Sequence, residues 1–329
     1  MSDAKTLTVA CGDFDRSRRL LDGTVGIEGY LLKFVTMPPE EMFRRAFEGG
    51  EFDISELSAS TFLLHVGRGT CPYAGLPIFP SRAFRHAAIY VRAKDGIEKP
   101  QDLRGKIIGV RSYLNTAALV VRGLFADEYG LAADAMSWRI GDVDDVERKD
   151  IPVPKLEKPT EIKALGHGKT LTGELLSGGI DALIHYNPPR GFTLAADSQF
   201  RRLFPDPCAA ERAYFQKTRI FPIMHLIGVR APLLKEDPSL PRKVYNAFAK
   251  AKDLAMGDLL SQSSPKVSLP WLNDDVARTI ALAGTDFWPY GVQKNEAALA
   301  SLARYAFDQG LTRRPLATAE LFEPVLLDT

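Results

Sequence analysis

Short apolar runs alternate with amphipathic stretches through most of the chain. Residues 7–11 are the first such run; they close at Gly12 and Asp13 and predict a strand that opens into a loop and then a helix. Residues 31–35 predict a second strand. Pro38, Pro39, Glu40 and Glu41 follow, proline suited to a helix's first turn and acids to its dipole. Met42, Phe43, Ala46 and Phe47 give that helix its apolar stripe, and Gly49 and Gly50 stop it. Residues 52–54 begin a third strand with Glu56 and Leu57 at its end, and 61–66 reads as helical. The run 87–91 predicts a buried strand. A short helix at 100–103, a buried strand at 106–110 and a helix at 117–129 come next. Strands at 138–140 and 161–165 flank a charged, proline-dotted excursion over 141–158. A helix at 170–176 leads to a strand at 180–184 that ends at His185. No long period runs through 187–220. Residues 220–230 predict another buried strand, with His225 inside it, and helices cover 238–260, 274–283 and 296–309.

Strands alternating with helices predict an α/β protein with mostly parallel sheets. At 329 residues the chain is long enough for two domains. Hydrophobic residues make up 45% and charged residues 25%, an ordinary globular balance, and a net charge of +1 gives no pull toward nucleic acid or anionic membrane. No run approaches the roughly 18 apolar residues that span a bilayer. The N-terminal residues carry no apolar h-region, so the expected location is the cytoplasm. Cys11, Cys71 and Cys208 are widely spaced, without metal-ligand spacing, and a reducing compartment leaves them unpaired.

The densest candidate chemistry lies just before the strand at 87–91. Arg82, Arg85 and His86 place two planar cationic forks and one titratable ring within five residues. They fit a site for an anionic, carboxylated small molecule; the alternative is that both arginines pair with structural acids and His86 is a core ring. Asp13 either caps the helix after it or faces a ligand at the strand's carboxyl end, where Arg16 is a second cation. Ser58 and Ser60 are N-caps or donors to an anion, and Tyr113 and Thr116 stand near another helix start. His225 is either a satisfied core residue or a site residue. His185 sits at a strand end but could serve the turn after it. The aromatic loop at 286–291, with Trp288, is a lid or packing.

Two strings give the chain a resemblance. Gly-Ile-x-x-Pro-x-Asp-Leu-Arg-Gly-Lys-x-Ile-Gly-Val at 96–110 and Gly-Ile-Asp-Ala-Leu at 179–183 resemble the entry and exit of the second domain of type II periplasmic solute-binding proteins. Within that superfamily, six strings occur in order: Ala-Cys-Gly-Asp-Phe-Asp-Arg at 10–16, Pro-Glu-Glu-Met-Phe at 39–43, Phe-Pro-Ser-Arg-Ala-Phe-Arg-His at 79–86, Arg-Leu-Phe-Pro-Asp at 202–206, Ile-Phe-Pro-Ile-Met-His at 220–225 and Trp-Pro-Tyr-Gly at 288–291. Together they resemble the 4,5-dihydroxyphthalate decarboxylase family. Residues 141–169 match nothing.

The resemblance implies a two-lobed α/β fold with ligand bound between lobes, one made of 1–88 and 222–329, the other of 89–221. It implies loss of one carboxylate from a hydroxylated aromatic dicarboxylate by ring protonation, with no cofactor and no metal. On that reading His86 and His225, His86 ahead, are the acid–base candidates, and Asp13 orients a histidine or accepts from a catechol hydroxyl. Arg82 and Arg85 hold carboxylate, with Arg16 as a third. Ser58, Ser60, Tyr113, Thr116 and Trp288 line the site. A non-catalytic binding protein for an aromatic carboxylate is the alternative. The expected partner is the small aromatic acid, not nucleic acid or membrane. The C-terminal helices, with Trp271 and Trp288, leave a homo-oligomer open.

Overall fold

The computed structural model describes residues 4–146, 152–195, 197–261, 263 and 265–329. Residues 147–151 of the expected surface excursion lie outside them. In chain order the elements begin β1 (Lys5–Ala10), α1 (Asp15–Leu21), β2 (Tyr30–Val35), α2 (Pro39–Gly49), β3 (Ile54–Ser58), α3 (Ala59–Arg68) and β4 (Tyr73–Arg82). They continue through β5 (Ile89–Arg92), β6 (Ile107–Val110), α4 (Thr116–Tyr129), β7 (Ser137–Ile140), β8 (Ile162–Ala164), α5 (Leu171–Ser177), β9 (Ala182–Ile184), β10 (Phe200–Arg202) and α6 (Pro207–Thr218). They close with β11 (Ile223–Arg230), α7 (Ala231–Glu236), α8 (Leu240–Leu260), α9 (Leu272–Ala283) and α10 (Glu296–Asp308). No helix among the described residues is long and apolar enough to cross a membrane.

Four of these elements, β4, β10, α6 and α7, escape the hydrophobic pattern, and two of them show why. Pro77 and Pro80 lie inside β4, and proline cannot donate to a ladder. The strand survives because it is the sheet's edge, paired to β11 on one side. Helix α6 buries only Tyr214, so it shows no apolar stripe. Its start is legible by chemistry instead: Asp206 caps it, accepting from the Ala209 N–H at 3.0 Å, and Pro207 opens the first turn.

The chain forms two compact units. The first comprises 1–82, 223–299 and 317–329, the second 83–222 and 300–316. The first holds a five-stranded sheet in the order β2-β1-β3-β11-β4. Strand β1 is parallel to β2 and β3, while β11 runs antiparallel to β3 and β4. The second holds a six-stranded sheet, β10-β5-β9-β6-β7-β8, parallel from β9 to β8 and antiparallel at the β10 end.

One boundary differs from the expected 88/89, and one C-terminal segment lies in the other unit. The chain leaves the first unit after Arg82, so the strand following His86 belongs wholly to the second. Residues 300–316, expected in the first lobe, also belong to the second, and their side chains say why. Gly123 on α4 leaves space that the Tyr305 ring occupies. Arg304 clamps Asp127 with two nitrogens, at 2.9 and 2.6 Å. Gln309 accepts from Arg122 Nε at 2.5 Å and donates to the Leu119 carbonyl at 3.0 Å. These bonds lock the end of α10 onto α4.

Candidate active site

In the first unit the chemistry gathers where β1 and β3 end. Strand β3 is buried along its whole length and carries an acid, Glu56, only 1% exposed. A buried carboxylate needs donors. Glu56 Oε2 accepts the Gly12 N–H at 2.8 Å, and Oε1 lies 2.5 Å from His225 Nδ1. Gly12 is required there: a Cβ would collide with the Phe14 ring and stand 3.3 Å from Glu56 Oε2. Burial pushes the Glu56 carboxyl up most strongly, but the hydrogen bond and charge of His225, the Gly12 N–H and the Cys11 thiol outweigh it. The net direction is down, toward the anion.

His225 sits in β11 opposite Ser58 of β3 and Ser81 of β4, and the register with β4 shifts on either side of it. Such irregularities re-aim a side chain. The ring keeps 19% of its side chain exposed and meets the Phe43 ring edge-on at 4.8 Å. It is therefore neither a sealed core residue nor a free surface one.

Arg16 stands on α1, joined to Gly12 through Phe14. Its guanidinium carbon lies 4.5 Å from the Phe14 ring centre and 4.1 Å from that of Trp288. Nε donates to the Pro80 carbonyl at 2.5 Å and Nη1 to Asp15 at 2.7 Å. Among the described residues Nη2 makes no recorded hydrogen bond. Trp288 is itself latched, its indole N–H donating to the Phe79 carbonyl at 2.9 Å. His225, Glu56, Gly12, Phe14, Arg16 and Trp288 thus form one continuous line of contacts: an acid–base ring, its carboxylate, and a cation between aromatic faces.

The other expected residues fall differently. Asp13 is exposed and held by Arg18 at 2.8 and 2.9 Å; it caps nothing, and Glu56 occupies the place behind a histidine that Asp13 was expected to take. Arg82 is 6% exposed and donates to the Pro289 carbonyl at 2.8 Å and to Asn295. Asn295 in turn donates to the Gly291 carbonyl at 2.7 Å, so Arg82 clamps the 288–291 loop. Burial pushes its pKa down to about 9. Ser58 makes no capping bond; its hydroxyl meets that of Ser60 at 3.2 Å, and both are buried at the start of α3.

Arg85, His86, Tyr113 and Thr116 belong to the second unit. Burial pushes Arg85 down to about 10, with Tyr186 and Glu211 opposing. His86 is 2% exposed, between Phe204 and Tyr214, and burial holds its ring neutral, with a pKa near 4. That is poor placement for the leading proton donor. Tyr113 is fully buried beneath the Arg122 guanidinium, at 3.7 Å, and is a core ring rather than a wall. Thr116 is buried in the first turn of α4, where Asn115 is the cap, accepting from Ala117 N–H at 2.8 Å. His185 serves the turn after it, with Nδ1 at 3.0 Å from the Asn187 carbonyl.

Glu56, Phe43 and Phe14 are the site residues that sequence reasoning passed over. The signal for Glu56 was available: a lone acid inside an otherwise apolar and hydroxyl run. Among the described residues no group of three or more His, Cys, Asp or Glu is placed to hold a metal ion.

No family model matches the chain. A 4,5-dihydroxyphthalate decarboxylase of Comamonas testosteroni is 38% identical over 323 residues, covering 98% of each chain. A second, from Pseudomonas putida, is 39% identical over 210 residues, 64% of this chain and 81% of the relative. Among solved structures, the periplasmic aliphatic sulphonate binding protein SsuA from Escherichia coli gives a TM-score of 0.55 at 13% identity, covering 99% of this chain and 100% of that one. The alkanesulfonate-binding SsuA from Xanthomonas axonopodis pv. citri, bound to MOPS, gives 0.54 at 14% identity, covering 98% and 99%. At these identities the likeness is one of fold, the two-lobed α/β fold of periplasmic binding proteins.

Proposed function

The chain belongs to the 4,5-dihydroxyphthalate decarboxylase family, and from that premise we propose that it converts 4,5-dihydroxyphthalate to 3,4-dihydroxybenzoate and carbon dioxide at the cluster built on His225. Direct loss of carbon dioxide would leave an aryl carbanion, too unstable to form. The departing carboxylate has a hydroxyl para to it. Protonating the ring carbon first lets that oxygen take up the positive charge as a keto-like intermediate, and carbon–carbon cleavage then restores aromaticity. The substrate's own hydroxyl is the electron sink, so the chemistry calls for no cofactor.

What the protein must supply is a proton donor at the ring carbon and a cation for the carboxylate that stays. The observation that carries the reading is the His225 ring, 19% exposed, with Nδ1 taken by Glu56; Nε2 is the nitrogen that would meet a ligand. Arg16 offers Nη2 to the remaining carboxylate, and Phe14, Phe43 and Trp288 supply apolar surface for an aromatic ring. Ser58, 7% exposed and opposite His225 in the sheet, is the hydroxyl for the catechol, and the fully buried Ser60 stands behind it. This ranks His225 ahead of His86, and Arg16 ahead of Arg82.

The test is to mix chelator-treated protein with 4,5-dihydroxyphthalate and follow carbon dioxide and 3,4-dihydroxybenzoate. Turnover by the wild type, lost in His225→Gln, is the expected result. A ligand-dependent rise in melting temperature without turnover would favour the second reading, a non-catalytic binding protein, for which the fold shared with SsuA speaks.

A further inference from the structure

Glu56 collects three donors: His225 Nδ1, the Gly12 N–H and the Cys11 thiol, which is fully buried and kept protonated chiefly by that burial. Arg16 adds positive charge near Cys11. An acid held this way accepts hydrogen bonds but has little reason to accept a proton. A carboxylate acceptor at 2.5 Å favours the tautomer of His225 that carries a proton on Nδ1. Exchange with a ligand is left to Nε2.

We propose that Glu56 is the positioning residue of the reaction: it fixes His225 in the Nδ1–H state, so that Nε2 alone delivers the ring-carbon proton. The inference rests on the decarboxylase reading and adds to it the residue that decides which nitrogen works. In the step itself the Nε2–H bond of the imidazolium breaks and a C–H bond forms at the carbon bearing the departing carboxylate. The carbon–carbon bond then breaks, its electron pair returns to the ring, and carbon dioxide leaves. The neutral ring, Nδ1–H intact, regains its proton at Nε2 from water. One proton is consumed per turnover.

The experiment combines kinetics with nitrogen-15 spectra of the histidine rings in the full-length protein. In the wild type, His225 should show a protonated Nδ1 in both ring charge states, with a far-downfield proton. Glu56→Gln should lose that signal, drop kcat by roughly 10²- to 10⁴-fold and alter the pH profile, with KM changed far less. Glu56→Asp should recover part of kcat. Should Glu56→Gln not fold, the wild-type spectrum and Glu56→Asp still decide. A neutral ring protonated on Nε2, or a Glu56→Gln enzyme with wild-type kcat and pH profile, overturns the proposal. A wild type with the Nδ1–H signal but no turnover sinks the decarboxylase reading instead and leaves the pairing in place.

Discussion

The Arg16 guanidinium lies over the Trp288 ring, 4.1 Å from its centre, while its Nε is spent on the Pro80 carbonyl. The stack fixes the plane of the fork, and the anchored Nε fixes its direction. A carboxylate meeting Nη2 therefore meets a donor already oriented. Trp288→Ala removes a contact worth about 0.5–2 kcal/mol, and KM should rise by roughly 2- to 30-fold with a smaller change in kcat. Arg16→Lys keeps the charge but loses the planar fork, and should raise KM by about 10-fold or more. Steady-state kinetics on the two variants checks both; an Arg16→Ala enzyme with wild-type KM would remove Arg16 from the site.

His225 calls for a different substitution. Truncating it to alanine leaves the buried Glu56 with one donor fewer, which costs about 1–3 kcal/mol for a buried acceptor that loses its partner. Glutamine keeps an N–H within reach of Glu56 and cannot act as an acid. His225→Gln should fold, retain the substrate-induced rise in melting temperature, and lose about 10²- to 10⁴-fold in kcat. Wild-type kcat in this variant would rule His225 out.

How much of this was legible in the sequence depends on what each residue bonds to. Periodicity placed β1, β3, β11 and α8 because each buries a run of apolar side chains. It said nothing of α6, whose start is chemical, or of β4, whose prolines only an edge strand tolerates. Arg82 read as a ligand-binding cation because charge before a buried strand usually faces something. It faces the Pro289 carbonyl and Asn295, more than two hundred positions away in the chain, which no local pattern records. Glu56 was missed for the converse reason: its partners, Gly12 and His225, come together only when three strands assemble.

The Arg82 clamp makes its own prediction. Arg82→Ala removes charged hydrogen bonds to Pro289 and Asn295, each kind worth about 1.5–3 kcal/mol. The urea midpoint should fall by an amount corresponding to roughly 2–4 kcal/mol, while KM measured well below the transition stays within a few-fold of wild type. Unchanged stability with a large rise in KM would return Arg82 to carboxylate binding.

His86 should leave a mark on acid stability. Burial lowers its folded-state pKa from 6.5 to about 4, with Glu128 opposing and Glu211 4.0 Å away. Above pH 6.5 the ring is neutral folded or unfolded and contributes no pH dependence. Between 6.5 and 4 the unfolded chain binds a proton that the folded one refuses, so stability falls as pH falls, by roughly 2–3 kcal/mol over the window. His86→Phe removes that slope. Denaturant titrations at pH 7 and pH 4.5 should show a smaller loss in the variant; an equal loss would show that the folded ring takes up its proton normally.

Gly123 separates two effects of opposite sign. In the interior of an exposed helix, replacing glycine by alanine stabilises by about 1 kcal/mol, because the chain loses less backbone freedom on folding. At Gly123 an added Cβ would run into the Tyr305 ring, whose hydroxyl donates to Asp127 at 2.6 Å and so cannot easily swing away. Overpacking of this kind costs typically 1–3 kcal/mol, enough to outweigh the helix gain. Gly123→Ala should therefore destabilise, and the double variant with Tyr305→Ala should be less destabilised than the sum of the two single changes, because the clash disappears with the ring. Additive effects in that cycle would mean that α10 does not seat Tyr305 on α4.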